Sequence, residues 1–350
     1  GARDHINLES YIIEDDSVGR RLADALIRKQ AQGVQVNVIY DGIGSLDTPA
    51  EYFQRLKQSG IAVCEFNPVN PLKGRWWRLN QRDHRKILVV DGEVGFTGGI
   101  NFSRVYASSS ARRKRRAASL DEGWRDTHIE VRGPAVAEFQ RLFIGTWRKQ
   151  SCGALAERHY FPQLRAEGDK LVRVIGSSPD SQESLMYLTF LSALGQASER
   201  IYLTMAYFVP DPRTLTALKN AAARGVDVRL ILPGYSDFWV VFHAGRSYYD
   251  ELLAAGVKLY ERRDALLHAK TAVIDGVWST VGSTNMDWRS FLHNDEVNVV
   301  VLGEEFGQHM DALFQRDLAE ATPIDPERWR QRSFGLKAKE WLARHWQYLL

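Results

Sequence analysis

Cysteine is scarce in this 350-residue sequence, with only Cys64 and Cys152 present. Two cysteines cannot build the multi-bridge scaffold of a small secreted domain, so no disulfide framework is expected, and cysteine usage leaves the compartment open. Also missing is any apolar run long enough to cross a bilayer, and no signal peptide is read at the start. Charge of one sign is not in excess: 46 Lys and Arg against 43 Asp and Glu give a formal net charge of +3. That balance does not by itself call for a polyanionic partner. No dense run of carboxylates, or of His and Cys, has metal-ligand spacing, so neither a metal nor another cofactor is expected. The sequence reads as a soluble or peripheral protein. Its 44% apolar residues supply sizeable cores, and its length suits two domains.

What is present is an internal repeat. Ala2 to Leu8 reappears as Ala197 to Leu203, Gly33 to Ile39 as Gly225 to Ile231, and Ser59 to Val63 as Ala255 to Leu259. The first half reads as strand 5–13, helix 17–32, strand 34–40, helix 49–59, and strands 61–66 and 86–91. The second half reads as strand 200–206, helix 212–224, strand 226–232, helix 244–255, and strands 257–260 and 270–275. This alternation implies a pair of α/β/α lobes related by a pseudo-twofold, each with a mixed, largely parallel sheet covered by helices. Expected boundaries are 1–165 and 166–350, the second lobe ending in a C-terminal helix. That lobe also opens with a strand at 171–175 and a helix near 181–197 that the first half lacks. The expectation is that about one strand and one helix precede residue 1.

Inside the repeat a motif occurs twice with identical spacing. His84-x-Lys86 is followed after four residues by Asp91, then by Gly98, Gly99 and Asn101. His268-x-Lys270 is followed in the same way by Asp275, Gly282, Ser283 and Asn285. A strand sends His and Lys to one face. Phosphodiester chemistry uses this set: one imidazole attacks phosphorus, a second handles the proton of the leaving and entering alcohols, and Lys and Asn hold the charged oxygens. Each imidazole also needs an orienting partner. Asp126 and Glu296, seven residues before Gly133 and Gly303, are candidates; surface charge at a strand start is the alternative. Asp91 and Asp275 each precede a glycine, and a structural turn is the favoured role, as for Gly98, Gly99, Gly282 and Ser283.

These motifs resemble the phospholipase D superfamily, whose hallmark is a duplicated H-x-K-x4-D across two α/β lobes. Within it the chain looks most like bacterial cardiolipin synthases. The supporting stretches are Arg82 to Lys86, Gly98 to Asn101, Trp124 to His128, Ala206 to Pro210, Leu267 to Thr271 and Gly282 to Ser290. The resemblance implies transfer of a phosphatidyl group between two phosphatidylglycerols through a phosphohistidine, with release of glycerol. It further implies that His84 is the nucleophile and His268 the acid and base. Arg82 and Arg85 near His84 are expected to lower its pKa if they point inward, and apolar neighbours to lower that of His268. Hydrolysis to phosphatidic acid, a nucleic-acid phosphodiesterase and an inactive membrane scaffold remain alternatives. No nucleic-acid partner is expected, and oligomeric state is open.

Three segments mix bases with large apolar groups: Arg75, Trp76, Trp77 and Arg78; Arg112, Arg113, Lys114, Arg115 and Arg116; and Phe238 with Trp239. They are candidates for contact with an anionic phospholipid surface. Core caps and a solvated basic loop are the plainer readings. From 337 to 350, Trp341, Leu342, His345, Trp346 and Leu349 share one helical face, which suits packing first and an interface second. Together with the resemblance, these features place the chain peripherally on the bacterial inner membrane, with any anchor outside this sequence.

Overall fold

The computed structural model describes residues 1–69, 80–107, 123–180 and 184–346. The first half runs β1 (His5–Ser10), α1 (Ser17–Ala31), β2 (Gln35–Asp41), α2 (Ala50–Gln58), β3 (Ala62–Phe66), β4 (Arg82–Asp83), β5 (Ile87–Val90), β6 (Val94–Gly98), β7 (His128–Arg132) and α3 (Val136–Lys149). The second opens with β8 (Leu171–Ser177), α4 (Leu185–Gln196), β9 (Arg200–Met205), α5 (Pro212–Ala223), β10 (Asp227–Pro233), α6 (Trp239–Arg246) and α7 (Tyr249–Ala254). It continues through β11 (Lys258–Arg262), β12 (Lys270–Ile274), β13 (Trp278–Gly282), α8 (Trp288–Leu292), β14 (Asn294–Leu302), α9 (Glu304–Ala319), β15 (Ala321–Pro323), α10 (Pro326–Arg330) and α11 (Phe334–Arg344).

Two mixed sheets result. The first has the order β3-β2-β1-β5-β6-β7, and the second β15-β11-β10-β9-β12-β13-β14-β4, with β8 also on β14. Parallel pairing is carried by β1–β2–β3 and β9–β10–β11, the strands joined by helical crossovers. The strands that carry the motifs pair antiparallel, because short turns join β5 to β6 and β12 to β13.

Those turns explain the motif aspartates. Asp91 and Asp275 sit at φ +56° and +51°, a region that Asp tolerates in turns. The Asp91 carboxylate accepts from the backbone N–H of Arg3, Asp4 and His5 at 2.8–3.1 Å. Asp275 accepts from Ser198, Glu199 and Arg200 at 2.8–2.9 Å. Each ties the start of a central strand to the turn beside it, as a structural role requires.

Some elements differ from expectation. Strand 5–13 ends at Ser10, since Ile12 donates its N–H to Asn101 Oδ1 at 3.2 Å instead of a ladder. Helix 244–255 is two helices, α6 and α7, broken where the Ser247 hydroxyl caps the Ala244 carbonyl at 2.6 Å. In the second lobe α4 seats Met186 and Phe190 over the sheet, leaving a space of only about 10 Å³ beside Lys270. Among the described residues the first lobe has no counterpart of β8 and α4. A cavity of about 240 Å³ lies there beside Lys86, Leu88, Phe96 and Phe102.

The cysteines are also a correction: Cys64 and Cys152 form a single bridge with Cα atoms 5.5 Å apart. It ties β3 to the end of α3 and closes an 88-residue separation. A loop of that size removes much chain entropy from the unfolded state. Replacing both cysteines by Ala should lower the unfolding free energy in urea by about 3–4 kcal/mol, and a loss under about 1 kcal/mol would contradict this.

Candidate active site

The two motifs meet because each lobe reaches into the other. β4 adds to the second sheet beside the start of β14, pairing Arg82 with Asn294 and Asp83 with Asp295. The His84 N–H then donates to the Asp295 carbonyl at 2.9 Å. The next residue along β14 is Glu296, whose two oxygens lie 2.9 and 3.0 Å from His84 Nδ1. The second motif repeats the device in reverse. Arg125 bridges Leu267, and the His268 N–H donates to the Arg125 carbonyl at 2.8 Å. The following residue, Asp126, holds His268 Nδ1 at 2.7 Å. Both carboxylates are therefore buried ring partners, and each serves the histidine of the opposite lobe. A carboxylate on Nδ1 puts the hydrogen there and leaves Nε2 as the ring nitrogen for chemistry.

The cations and amides complete the cluster. Lys86 Nζ donates to the His84 carbonyl at 2.6 Å, and Lys270 Nζ makes the same bond to the His268 carbonyl. Asn101 Nδ2 donates to the Tyr106 hydroxyl at 2.8 Å, and that hydroxyl lies 3.5 Å from His268 Nδ1. Asn285 is buried with its Oδ1 unpaired, a polar atom aimed at no protein partner among the described residues. The lobes differ at one point. Gly99 has no Cβ, and the Asp126 carboxylate fills the place where one would stand. Gly98 before it sits at φ +151°, a backbone shape that glycine adopts freely. Its counterpart pair, Gly282 and Ser283, instead supplies a hydroxyl that donates to Glu296 and accepts the Val297 N–H at 3.0 Å.

Aromatic walls were not singled out in the sequence. Tyr11 lies edge-on to His84 at 5.1 Å, while Trp124 and Tyr106 lie 5.2 and 5.6 Å from His268. For Trp124 and Tyr106 closeness in sequence to Asp126 and Asn101 was the available signal; Tyr11 had none. Phe238 and Trp239 are half exposed at the start of α6, beside Asp237, which accepts the Tyr207 hydroxyl at 2.7 Å. Arg75, Trp76, Trp77, Arg78 and Arg112 to Arg116 lie outside the described residues. Among the described residues no group of three or more His, Cys, Asp or Glu is placed to hold a metal.

Burial dominates the electrostatics. It lowers His84 to about 4 against the pull of Glu296, and Lys86 and Lys270 add to the effect. Burial, then Lys270, Lys86 and His84, hold His268 well below its ordinary value. The expected cause for His84 is corrected here. Arg85 bonds the Glu296 carbonyl at 3.1 Å, Thr146 at 2.9 Å and the Ser177 carbonyl at 2.8 Å, and Arg82 reaches Asp41 at 3.4 Å. The depression comes from burial and the lysines instead. Burial also lowers Lys86 to about 7 and Lys270 to about 8.

The carboxylates diverge. Burial raises Asp126 to about 6, with Lys270 opposing. Burial raises Glu296 as well, but the charges of His84 and Lys86 and the bonds from His84 and Ser283 outweigh it, and its pKa is lowered. As pH falls through about 6, Asp126 gains a proton and His268 loses its acceptor. As pH rises through about 7 and then 8, Lys86 and Lys270 lose the charge that holds an anion. kcat/KM for a phosphodiester should therefore be bell-shaped, rising near about 6 and falling from about 7 through about 8. A flat profile from about 5 to 9 would contradict this electrostatic reading.

Comparisons with known proteins bear on the family and the fold. A family model described as "Cardiolipin synthase, PLD-like domain" matches residues 1–111 and 190–318. A cardiolipin synthase of Geobacillus sp. (strain WCH70) is 38% identical over 98% of this chain and 67% of its own length. One from Halalkalibacterium halodurans is 37% identical over 97% of this chain and 66% of its own length. The chain thus spans about two thirds of the length of these relatives. Among solved structures, a phosphatidylserine synthase from Haemophilus influenzae superposes with a TM-score of 0.72 at 12% identity, covering 100% of this chain and 91% of that one. A polyphosphate kinase from Porphyromonas gingivalis gives 0.57 at 14% identity over 97% of this chain and 51% of that one, and both likenesses concern the fold alone. With the family model and relatives aligned over nearly all of this chain in agreement, the chain belongs to the cardiolipin synthase family of phospholipase D-like proteins.

Proposed function

We propose that this chain is a phosphatidyltransferase that joins two phosphatidylglycerols into cardiolipin and releases glycerol. The observation that carries the reading is the pair of buried histidines, each with Nδ1 held by the other lobe's carboxylate. Two Nε2 atoms and two lysine ammoniums are then left for one phosphodiester.

In the first step His84 Nε2 attacks phosphorus and the P–O bond to the glycerol headgroup breaks. His268 Nε2–H gives its proton to that departing oxygen, so neutral glycerol leaves. That proton is taken from solvent onto His268 Nε2 as the substrate binds: the ring is neutral in the free site, and the negative charge of the bound phosphodiester, opposing Lys86 and Lys270, raises its affinity for it. In the second step a headgroup hydroxyl of another phosphatidylglycerol gives its proton to His268 and attacks phosphorus. The P–N bond to His84 breaks, and cardiolipin is released. Lys86, Lys270, Asn101 and Asn285 hold the non-bridging oxygens, where charge gathers in the transition state. Glu296 and Asp126 keep the two rings in the required tautomer.

The reaction site is reached from a peripheral position on the bacterial inner membrane. No helix among the described residues is long and apolar enough to cross one.

Incubation with phosphatidylglycerol vesicles, followed by separation of lipid products, tests the proposal. Cardiolipin and glycerol should appear in equal amounts, unchanged by a chelator. Phosphatidic acid alone would make the enzyme a hydrolase. Activity lost in chelator and restored by a divalent ion would overturn the metal-free mechanism.

A further inference from the structure

Helix α11 is packed with its apolar residues facing out. Its buried positions are Glu340 and Ala343, at 2% exposure each, while Phe334, Trp341 and Leu342 are 86%, 60% and 55% exposed. Trp346, just beyond the helix, is 59% exposed. A helix that packed by its apolar stripe would show the reverse. Here polar contacts do the docking: Arg332 holds Glu340 at 2.9 Å and Asp250 at 2.7 Å, and Arg344 holds Glu251 at 3.1 Å while lying over the Tyr248 ring. The outward apolar face is therefore held rigid and left without a protein partner among the described residues.

Its neighbour extends the surface. α11 packs on α6, whose first residue, Trp239, is 52% exposed beside Phe238 at 51%. Asp237, one residue earlier, accepts the hydroxyl of Tyr207, whose ring centroid lies 6.4 Å from that of His268. Exposed aromatic groups are thus carried by two helices packed on each other, and the start of α6 adjoins the rim of the catalytic site. The charge of α11 suits an anionic layer, since its Lys337 and Lys339 are exposed, Arg344 is matched by Glu251, and the helix's one acid, Glu340, is buried in ion pairs. Exposed Trp, Phe and Leu flanked by Lys and Arg sit favourably at the headgroup boundary of a bilayer.

We infer that α11 together with the start of α6 is a docking face for the surface of an anionic phospholipid bilayer, and that it seats the catalytic rim against the lipid. The inference rests on the proposed lipid substrate for its choice of occupant, but its test does not depend on turnover. Sedimentation with vesicles of phosphatidylglycerol and phosphatidylcholine would be measured for the wild-type chain and for the triple variant Phe334→Ser, Trp341→Ser, Leu342→Ser. Loss of three inserted side chains should weaken partitioning by about tenfold or more, with the melting temperature and turnover of a short-chain soluble phosphodiester unchanged. If the triple variant does not fold, tryptophan quenching by brominated phosphatidylglycerol decides. Quenching should be strong in the wild type and reduced in Trp341→Phe. Partitioning within about twofold of wild type, or equal quenching in both proteins, would overturn the inference. So would wild-type dimers that the triple variant dissolves without loss of vesicle binding, since a second copy would then be the occupant. Vesicle binding without any turnover of phosphodiester would leave this face standing and sink the proposed reaction.

Discussion

Two hydrogen bonds that cross between the lobes, His84 to Glu296 and His268 to Asp126, set the terms for the rest of the molecule. Each histidine takes its backbone anchor and its ring anchor from consecutive residues of the opposite lobe, Asp295 then Glu296, and Arg125 then Asp126. Neither lobe alone holds a complete histidine–carboxylate pair. The duplicated fold supplies two half-sites, and the exchange turns them into one. Burying so many charges is unfavourable unless each has a partner. The chain meets this with arginines behind the site: Arg85 touches Asp295 and lies 3.8 Å from Glu9, and Arg125 and Arg262 both bind Asp317. These guanidiniums fix the segments that carry the catalytic groups.

The symmetry is broken where a reaction with two unlike steps needs it to be. Ser283 donates to Glu296, whose pKa is lowered chiefly by His84 and Lys86, and so fixes the carboxylate that orients the His84 ring. Asp126 has Gly99 at the matching place, receives no such hydroxyl, and sits near 6. A nucleophile and a proton carrier call for this difference. Sequence neighbours did not reveal it, because it arises from burial and from residues that only the fold brings together.

Much of this was legible beforehand. The spacing of His84, Lys86, Asp91 and Asn101 and its exact recurrence from His268 gave the lobes, the site and the turn role of both aspartates. The carboxylates were found from their place before Gly133 and Gly303. Their exchange between lobes was not, since a repeat shows equivalence and says nothing about which copy faces which. The same limit hid the Cys64–Cys152 bridge: residues 88 apart give no sign of proximity until β3 and α3 share a core. The arginines were misread because nearness in sequence to His84 was taken for nearness to its ring: Arg85, the next residue, points to the opposite face, and Arg82 is engaged by Asp41 and the Asn67 carbonyl. The C-terminal helix was read by its apolar face as a packing element, and the ion pairs that dock its polar face needed coordinates to be seen.

The central claim is that Glu296 acts through His84 on formation of a covalent intermediate, and Asp126 through His268 on proton transfer. Rapid quenching with phosphorus-labelled phosphatidylglycerol, followed by mapping of the labelled peptide, addresses it in the wild type, Glu296→Gln and Asp126→Asn. The account predicts label on His84 in the wild type, little label in Glu296→Gln, and label on His84 in Asp126→Asn that forms and decays slowly. Label on His268, or a Glu296→Gln protein that loads His84 at the wild-type rate, would contradict it.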